Sequence, residues 1–342
     1  MVNVLYIGNQ LQHKHGIPTI IDSLSKLLSN EGFCVFTASK KQNKAKRIID
    51  MCWQVVKHRS KVDVVLIDTY STQNFWYALI VSQLCRILQL QYIPVLHGGN
   101  LPFRLKHNPI LSRLIFKYAY MLVSPSLFLK EHFKSYGYNA EYIPNNLELE
   151  KYPFRKRVIN KIKLLWVRSF SEIYNPKMAV DVAKQLRDKG IEFELCMIGP
   201  EKDGTLEQTK SYAIASNVEV KFTGGLPKQE WIEASKAYNI FINTTNFDNM
   251  PVSVIEAMAL GLPIVSTNVG GLSYLLDDND TALLVEKDDV QNMVDAIISL
   301  KTNRELYEKL VYNGRSKAED FDWKKIRLQW ENVLISTLKI QE

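Results

Sequence analysis

With 342 residues, the chain is long enough for two domains of about 170 residues each. Apolar residues make up 46% and charged residues 23% of it, which excludes a disordered polypeptide, a collagen-like repeat and a coiled coil. The longest strongly apolar stretch, Phe75–Val81, has seven residues, whereas a membrane-spanning helix needs about 20. The first residues read as a strand, without a basic region before an apolar helix. We therefore expect no signal peptide and a cytoplasmic location.

Charge is distributed unevenly between the two halves of the chain. Residues 1–150 hold 17 Lys and Arg against 9 Asp and Glu, whereas residues 151–342 hold 26 against 27. In the basic segment 104–117, the cations Arg113 and Lys117 adjoin an apolar stripe at helical spacing, formed by Ile110, Leu111, Leu114 and Ile115. This pattern is typical of docking on an anionic membrane surface, or of an ordinary amphipathic helix with a solvated basic face. Its aromatic residues form no stacking platform, so nucleic acid is not an expected partner.

Strand-like and helix-like segments alternate along the first half, which predicts βαβ units and a parallel sheet. Crossover helices are expected at Thr19–Ser29 and Phe75–Leu88. The segment Val62–Asp68 is almost continuously apolar, as a parallel strand covered on both faces must be. The expected strands are Val2–Gly8, Phe33–Ala38, Val62–Asp68, Gln91–His97, Tyr120–Ser124 and Glu141–Ile143.

A second series follows the polar, proline-flanked linker of residues 144–153. Helices are expected at Pro176–Asp188 and Val252–Leu260. The two series predict an α/β protein of two Rossmann-like, doubly wound domains, residues 1–150 and 151–320, facing across a cleft where ligands bind. The expected strands of the second series are Lys163–Val167, Phe193–Ile198, Val218–Phe222, Ile240–Asn243, Ile264–Ser266 and Ala282–Val285.

The segment 243–263 is the most informative part of the sequence. A polar loop follows a strand end, and Pro251 then opens a helix that Gly261 closes. Only Ser253 and Glu256 are polar between Pro251 and Val265, and both lie near the helix N-terminus, which suits phosphate. A carboxylate one turn into the helix can accept from the two hydroxyls of a ribose. The alternative is a buried Glu256 that pairs with a structural Arg or a backbone N–H.

This segment resembles the donor site of the retaining glycosyltransferases of family 4 (GT4), which have the GT-B fold and carry two Glu eight positions apart. Glu256 matches the second Glu, so the resemblance assigns it to the ribose of a nucleotide-diphosphate sugar. Asp248 stands at the first and is assigned to the transferred sugar. Pro251 cannot donate, so phosphate contacts fall to the N–H groups of neighbouring residues and to a hydroxyl. The loop and helix residues assigned to the donor are Asn249, Met250, Pro251, Val252 and Ser253.

The resemblance covers nearly the whole chain. It assigns Arg168, with Ser169 beside it, to the diphosphate at the end of a strand, where a guanidinium suits phosphate oxygens. Ile173 stands where the family has a Lys, which leaves Lys177 as the nearest substitute. Two turns, at Gly199 and Gly224, are similar to those that close on the nucleobase, and the turn at Gly270–Gly271 is similar to a structural one.

In the first half, Gly16 matches the second Gly of a family loop that approaches the diphosphate and acceptor, although His15 replaces the first. His97 ends a strand, and the resemblance places it beside the reacting sugar as a hydrogen-bond partner. The final segment, 321–342, is similar to the family helix that returns to the N-terminal domain.

The resemblance implies a peripheral-membrane glycosyltransferase that moves a sugar to a hydroxyl of a lipid-linked or surface-polysaccharide acceptor, retaining anomeric configuration. We expect no essential metal and no cofactor, because the four cysteines and six histidines lack ligand spacing and no Asp-x-Asp motif is suitably placed. Two alternatives remain: a nucleotide-sugar epimerase of the same fold, and a catalytically inactive GT-B scaffold that binds glycan. A nicotinamide dehydrogenase is excluded because no Gly-x-Gly-x-x-Gly follows the first strand.

Overall fold

The computed structural model describes residues 2–11 and 19–340. The chain divides into two compact units. The first comprises Met1–Asn145 together with Lys324–Glu342, and the second comprises Asn146–Trp323. The divisions predicted from the sequence, at residues 150 and 320, lie a few residues from those between the two units.

The first unit contains a six-stranded parallel sheet in the order β2-β1-β3-β4-β5-β6. Its central strand β3 is buried along its whole length, as its apolar sequence predicts. The order reverses between β1 and β3, which makes the carboxyl ends of these strands a topological switch point. The strands are β1 (Asn3–Ile7), β2 (Cys34–Ala38), β3 (Val64–Thr69), β4 (Gln91–Leu96), β5 (Val123–Ser124) and β6 (Glu141–Tyr142).

Helices connect these strands, and each of them buries part of its surface in the unit. The helix α1, for example, buries Ile21, Leu24 and Leu28 at helical spacing. The helices are α1 (Ile20–Asn30), α2 (Lys44–His58), α3 (Asn74–Ile87), α4 (Leu101–His107), α5 (Pro109–Phe116) and α6 (Leu127–Ser135). Most of the last helix, α14 (Trp323–Ser336), belongs to this unit, where Ser336 O accepts a hydrogen bond from Tyr120 Oη at 2.9 Å.

The basic segment 104–117 differs from the expectation in two ways. It is not one helix, because α4 ends at His107 and Pro109 starts α5. Its buried face is formed by Ser112, Ile115 and Phe116, whereas Ile110 is exposed. Residues two positions apart in a helix point to nearly opposite sides of it. Ile110 lies two positions before the buried Ser112 and therefore points outward. The interpretation of the stripe as the packed face of an amphipathic helix therefore does not hold for Ile110.

The second unit contains another six-stranded parallel sheet, in the order β12-β11-β10-β7-β8-β9. The order reverses between β7 and β10, as in the Rossmann arrangement. The strands are β7 (Ile162–Val167), β8 (Phe193–Ile198), β9 (Lys221–Gly224), β10 (Ile240–Asn243), β11 (Ile264–Thr267) and β12 (Leu283–Val285). The helices are α7 (Pro176–Asp188), α8 (Thr205–Ala215), α9 (Lys228–Ser235), α10 (Val252–Ala259), α11 (Leu272–Leu275), α12 (Val290–Thr302) and α13 (Arg304–Glu319).

These two sheets confirm the predicted α/β class with two Rossmann-like, doubly wound sheets. Two strands, β5 and β9, begin three residues later than predicted. Val218 was expected to open β9, but its N–H donates to Ala213 O at 2.9 Å and closes the end of α8. Tyr120 was expected to open β5, whose ladder begins only at Val123. Among the described residues, none of the helices combines the length and the apolar character that crossing a bilayer requires.

Candidate functional site

The residues singled out in the second half lie at the carboxyl ends of neighbouring strands. Arg168 and Ser169 follow β7, Gly199 follows β8, and the loop of residues 244–251 follows β10. The strands β7 and β10 are adjacent and flank the point where the strand order reverses. Ligands of open parallel sheets bind at this edge, so the fold places these residues where a ligand site is expected.

Close packing of two strand ends fixes the backbone of Arg168. The Arg168 N–H donates to Ile198 O at 3.0 Å, and the Gly199 N–H donates to Gly224 O at 2.9 Å. A Cβ atom on Gly199 would collide with the carbonyl oxygen of Arg168. The backbone of Gly199 therefore packs directly against Arg168, and no larger side chain fits at this position.

The guanidinium of Arg168 forms an ion pair with Asp248, and both side chains are largely buried. It also lies over the ring of Tyr174, with 4.2 Å between the guanidinium carbon and the ring centroid. Burial lowers the pKa of Arg168, while Tyr174 opposes this effect. Burial raises the pKa of Tyr174, but the positive charges of Arg168 and Lys202 outweigh it and lower the pKa overall. The strand end thus holds concentrated positive charge beside one carboxylate.

The loop that carries Asp248 is held from both sides. Asp248 Oδ1 accepts from the Asn249 N–H at 2.8 Å, and Asp248 O accepts from the Gly271 N–H at 2.8 Å. A Cβ atom on Gly270 would collide with Asp248 O, and one on Gly271 with Asn249 O. The glycine pair therefore packs directly against the loop, consistent with the structural role that the sequence suggested.

The helix α10 begins where this loop ends, with Met250 and Pro251 buried beneath its first turn. The first backbone hydrogen bonds of α10 are donated by the N–H groups of Val254 and Ile255 to Pro251 O. The N–H groups of Val252 and Ser253 precede them at the N-terminus of the helix, where no carbonyl of the helix can accept from them. The hydroxyl of Ser253 is buried and has no hydrogen-bond partner within residues 2–11 and 19–340. A buried hydroxyl and free N–H groups at a helix N-terminus can receive phosphate oxygens.

Glu256 is only 3% exposed, and its carboxylate is already paired. Tyr152 Oη donates to Glu256 Oε1 at 2.6 Å, and Lys228 Nζ forms an ion pair with the same oxygen. Burial and the nearby carboxylate raise the pKa of Tyr152, which keeps its phenol a donor. The sequence left open that Glu256 is buried and paired with a structural Arg or a backbone N–H. In the structure its partners are instead Lys228, a Lys of α9, and Tyr152. Because the Lys228 side chain is 45% exposed, it covers the carboxylate from the solvent side.

Lys177 is not brought to Arg168. It is exposed on the first turn of α7, with its ammonium 5.9 Å from the ring centroid of Tyr212. Lys202 lies nearer to the site, with its ammonium 6.0 Å from the ring centroid of Tyr174. Ser169 lies beside Arg168 and is half-buried. Lys202, and not Lys177, is therefore the lysine that shares the ring of Tyr174 with Arg168.

His97 lies in the first unit, in a buried polar cluster at the carboxyl ends of β1, β3 and β4. His97 Nε2 is 2.9 Å from Asp68 Oδ1, which also accepts from Tyr6 Oη at 2.8 Å. Burial and the Asp68 carboxylate raise the pKa values of both Tyr6 and Tyr70. Asp68 thus fixes the orientation of the imidazole. The prediction for Gly16 falls outside the described residues.

Five residues of these clusters were not predicted from the sequence: Asp68, Tyr152, Tyr174, Lys202 and Lys228. Asp68 ends an apolar strand, which is a signal that could have been used. Tyr152 and Lys228 lie 104 and 28 positions from Glu256, and no local pattern connects them to it. Among the described residues, no group of three or more His, Cys, Asp and Glu is arranged to hold a metal ion.

Comparison with known proteins finds a family match for most of the second unit. Residues 150–317, which contain every second-unit residue discussed above, match the family described as glycosyl transferases group 1. The amylovoran biosynthesis glycosyltransferase AmsK of Erwinia amylovora is 26% identical over 266 residues, which cover 72% of this chain and 64% of that protein. The chain matches less than two thirds of the length of the first curated relatives.

Solved structures share the whole fold at low sequence identity. A sucrose-phosphate synthase from Thermosynechococcus elongatus has a TM-score of 0.84 at 14% identity, covering 99% of this chain and all of that one. HepE of Anabaena, solved in complex with UDP and glucose, has a TM-score of 0.77 at 15% identity, covering 98% of this chain and all of that one. The chain therefore has the GT-B fold, and its residues 150–317 match the group 1 glycosyl transferases, a family of transferase enzymes.

Proposed function

We propose that the protein is a retaining glycosyltransferase that uses a nucleotide-diphosphate sugar as donor. The pairing of Arg168 with Asp248 carries this proposal, because the resemblance assigned these two residues independently to the diphosphate and to the transferred sugar. The match of residues 150–317 to the group 1 glycosyl transferases also supports a glycosyltransferase. Since HepE shares the fold and was solved with UDP and glucose, UDP-glucose is the first donor to test.

The phosphate end of the donor would lie between Arg168 and the N-terminus of α10. Arg168 is a permanent cation, and the Ser253 hydroxyl has no other partner among the residues described. Negative charge develops on the departing diphosphate, and fixed donors that point at it lower the barrier. Donor binding requires Arg168 to exchange its contact with Asp248 for the diphosphate. This exchange would free Asp248 to accept from hydroxyls of the sugar.

The ribose end would lie at Glu256. Its carboxylate is held from the interior by Tyr152 and covered from the solvent side by Lys228. We propose that the ribose hydroxyls replace the Lys228 ammonium on this carboxylate. The exposed Lys228 side chain can move into solvent without disturbing the core, whereas Tyr152 keeps the carboxylate in place.

In the proposed reaction, the bond between the sugar's anomeric carbon and the diphosphate oxygen breaks as an acceptor hydroxyl attacks the same face. The acceptor proton passes to the departing diphosphate, so the reaction needs no protein nucleophile. The resemblance assigns His97 a hydrogen bond to the reacting sugar, and Asp68 would hold its imidazole in place. The proposal gives no step to a metal ion, so chelation with EDTA should leave turnover unchanged.

We propose a lipid-linked or surface-polysaccharide acceptor and a cytoplasmic location. The name of the Erwinia relative, an amylovoran biosynthesis glycosyltransferase, supports this acceptor class. The test incubates the protein with UDP-glucose and other nucleotide sugars, with and without membrane extract, and measures released nucleotide and labelled glycan. We expect release that depends on the extract, with a product of unchanged anomeric configuration by NMR. Acceptor-independent turnover would indicate the epimerase, and absence of turnover with retained UDP binding would indicate the inactive scaffold.

A further inference from the structure

Three neighbouring helix surfaces of the first unit point away from the sheet. In a parallel sheet with right-handed crossovers, the helices after β2, β3 and β4 lie on one face. The helix α3 packs beside α2 on one side and beside α5 on the other. A hydrogen bond from Gln83 Nε2 to Leu114 O, 3.1 Å long, joins α3 to α5. The outer surfaces of α2, α3 and α5 are therefore continuous.

Each of these helices exposes large apolar side chains on its outer surface. On α2, Trp53 is 60% exposed, and Ile49 lies one turn before it. On α3, Trp76 is 46% exposed, and Ile80 and Ile87 follow at helical spacing. Ile110 is exposed on α5, and Phe103 on the adjoining α4.

Cations lie among these apolar side chains. On α2, Lys46 and Lys57 are exposed on the same stripe as Trp53, and on α5, Arg113 and Lys117 continue the stripe of Ile110. Lys106 is exposed in the last turn of α4. Arg86 of α3 lies over the exposed ring of Tyr118, with 3.8 Å between the guanidinium carbon and the ring centroid. The four helices α2, α3, α4 and α5 therefore each carry exposed cations and exposed apolar side chains.

Carboxylates are almost absent from this part of the chain. Residues 40–117 hold 13 Lys and Arg but only 3 Asp and no Glu. Asp50 pairs with Ser39, Asp63 accepts from the Asn3 N–H at 2.7 Å, and Asp68 is buried with Tyr6 and His97. The surface therefore has a strong positive potential that none of its own carboxylates offsets.

We propose that this surface, called here the amphipathic face and defined by α2, α3, α4 and α5, docks on an anionic phospholipid bilayer. Tryptophan is enriched at membrane–water interfaces, and juxtamembrane cations gain free energy from anionic lipid headgroups. A second copy of the chain would bring the same positive charge against itself, which disfavours self-association through this face. The proposal goes beyond the proposed catalytic function and does not depend on it.

The tryptophans give a direct readout. The chain contains six, and four of them, Trp166, Trp231, Trp323 and Trp330, are buried. Only Trp53 and Trp76 are exposed, so a change in their solvation dominates any shift in emission. The full-length protein is mixed with phosphatidylcholine vesicles, with or without phosphatidylglycerol. We expect co-sedimentation and a blue shift of emission only with phosphatidylglycerol, and loss of both at high salt.

Two pairs of substitutions locate the contact. The variant Trp53→Phe/Trp76→Phe should still co-sediment but lose the blue shift. The variant Lys57→Glu/Lys106→Glu should bind vesicles at least about 25-fold more weakly, since each interfacial cation contributes about fivefold. The control Lys184→Glu/Lys301→Glu makes the same charge change on exposed positions of the second unit and should lose much less binding.

The proposal is overturned if the wild-type protein does not co-sediment with vesicles that contain phosphatidylglycerol. It is equally overturned if the two Lys→Glu pairs weaken binding by the same factor, because net charge alone would then explain it. Light scattering of the free protein adds an independent test. If the wild type is a stable dimer and the Trp53→Phe/Trp76→Phe variant is a monomer, the face binds another copy of the chain and the proposal is overturned. Circular dichroism and thermal unfolding confirm that each variant is folded.

Discussion

Replacing Glu256 with Gln separates a ribose contact from a purely structural role. The substitution keeps the size of the side chain and leaves an oxygen to accept from Tyr152 Oη, but removes the negative charge. The lost partner, Lys228, has a 45% exposed side chain that can return to solvent. Such pairs contribute about 0–1 kcal/mol, so the melting temperature of the free protein should fall by no more than about 4 °C.

Donor binding should change much more. A ribose hydroxyl that donates to a carboxylate contributes about 1.5–3 kcal/mol. In the Gln variant the amide oxygen faces Tyr152 Oη and the NH2 group faces the ribose, from whose hydroxyls it cannot accept. Loss of one such bond weakens UDP binding by about 10- to 150-fold. Isothermal titration calorimetry with UDP measures this change directly. The matched control is Lys228→Met, which removes the cation but keeps the carboxylate and should bind UDP at least as tightly as the wild type.

Two results would refute this reasoning. If Glu256→Gln binds UDP with wild-type affinity but unfolds at a lower temperature, the carboxylate serves only the fold. If Lys228→Met weakens UDP binding as much as Glu256→Gln does, the nucleotide is held by the ammonium, and the ribose assignment fails.

Three further predictions address the neighbouring groups. Asp248→Ala should leave UDP affinity equal or higher, because it frees Arg168, yet reduce sugar transfer; unchanged turnover would point to another sugar contact. Asp68→Asn should lower kcat by about fivefold with little change in donor KM, since an amide oxygen can still accept from His97 but lacks the charge, which contributes about 1 kcal/mol; a parallel loss in KM and stability would indicate a structural role. Gly199→Ala should lower the melting temperature by roughly 6–12 °C, because its Cβ would collide with the Arg168 backbone and cost about 3 kcal/mol; an unchanged melting temperature by calorimetry would contradict the packing described.

Local patterns were sufficient to predict most of the fold. The continuous apolar run of β3 and the proline and glycine that bound α10 are local signals, and both elements lie where they were expected. The prediction failed where a contact with another element decides the start of a strand. Val218 was expected in β9, but its N–H donates to Ala213 O at the end of α8.

The candidate site was predicted residue by residue but not in its pairing. Arg168 and Asp248 were both assigned to a ligand, so their ion pair with each other was not foreseen. Glu256 was recognised as a lone carboxylate in an apolar segment, which correctly signals that a buried charge needs a partner. Its partners, Tyr152 and Lys228, come from other elements, and the sequence has no periodicity that connects residues across elements.

A nucleotide without ribose hydroxyls tests the central assignment most directly. Titration calorimetry compares UDP with 2′,3′-dideoxy-UDP on the wild-type protein and on Glu256→Gln. If the carboxylate holds the ribose, the dideoxy compound binds the wild type about 10- to 150-fold more weakly than UDP, and the variant barely distinguishes the two. Equal affinity of the wild type for both compounds, or the same discrimination by both proteins, would contradict the assignment.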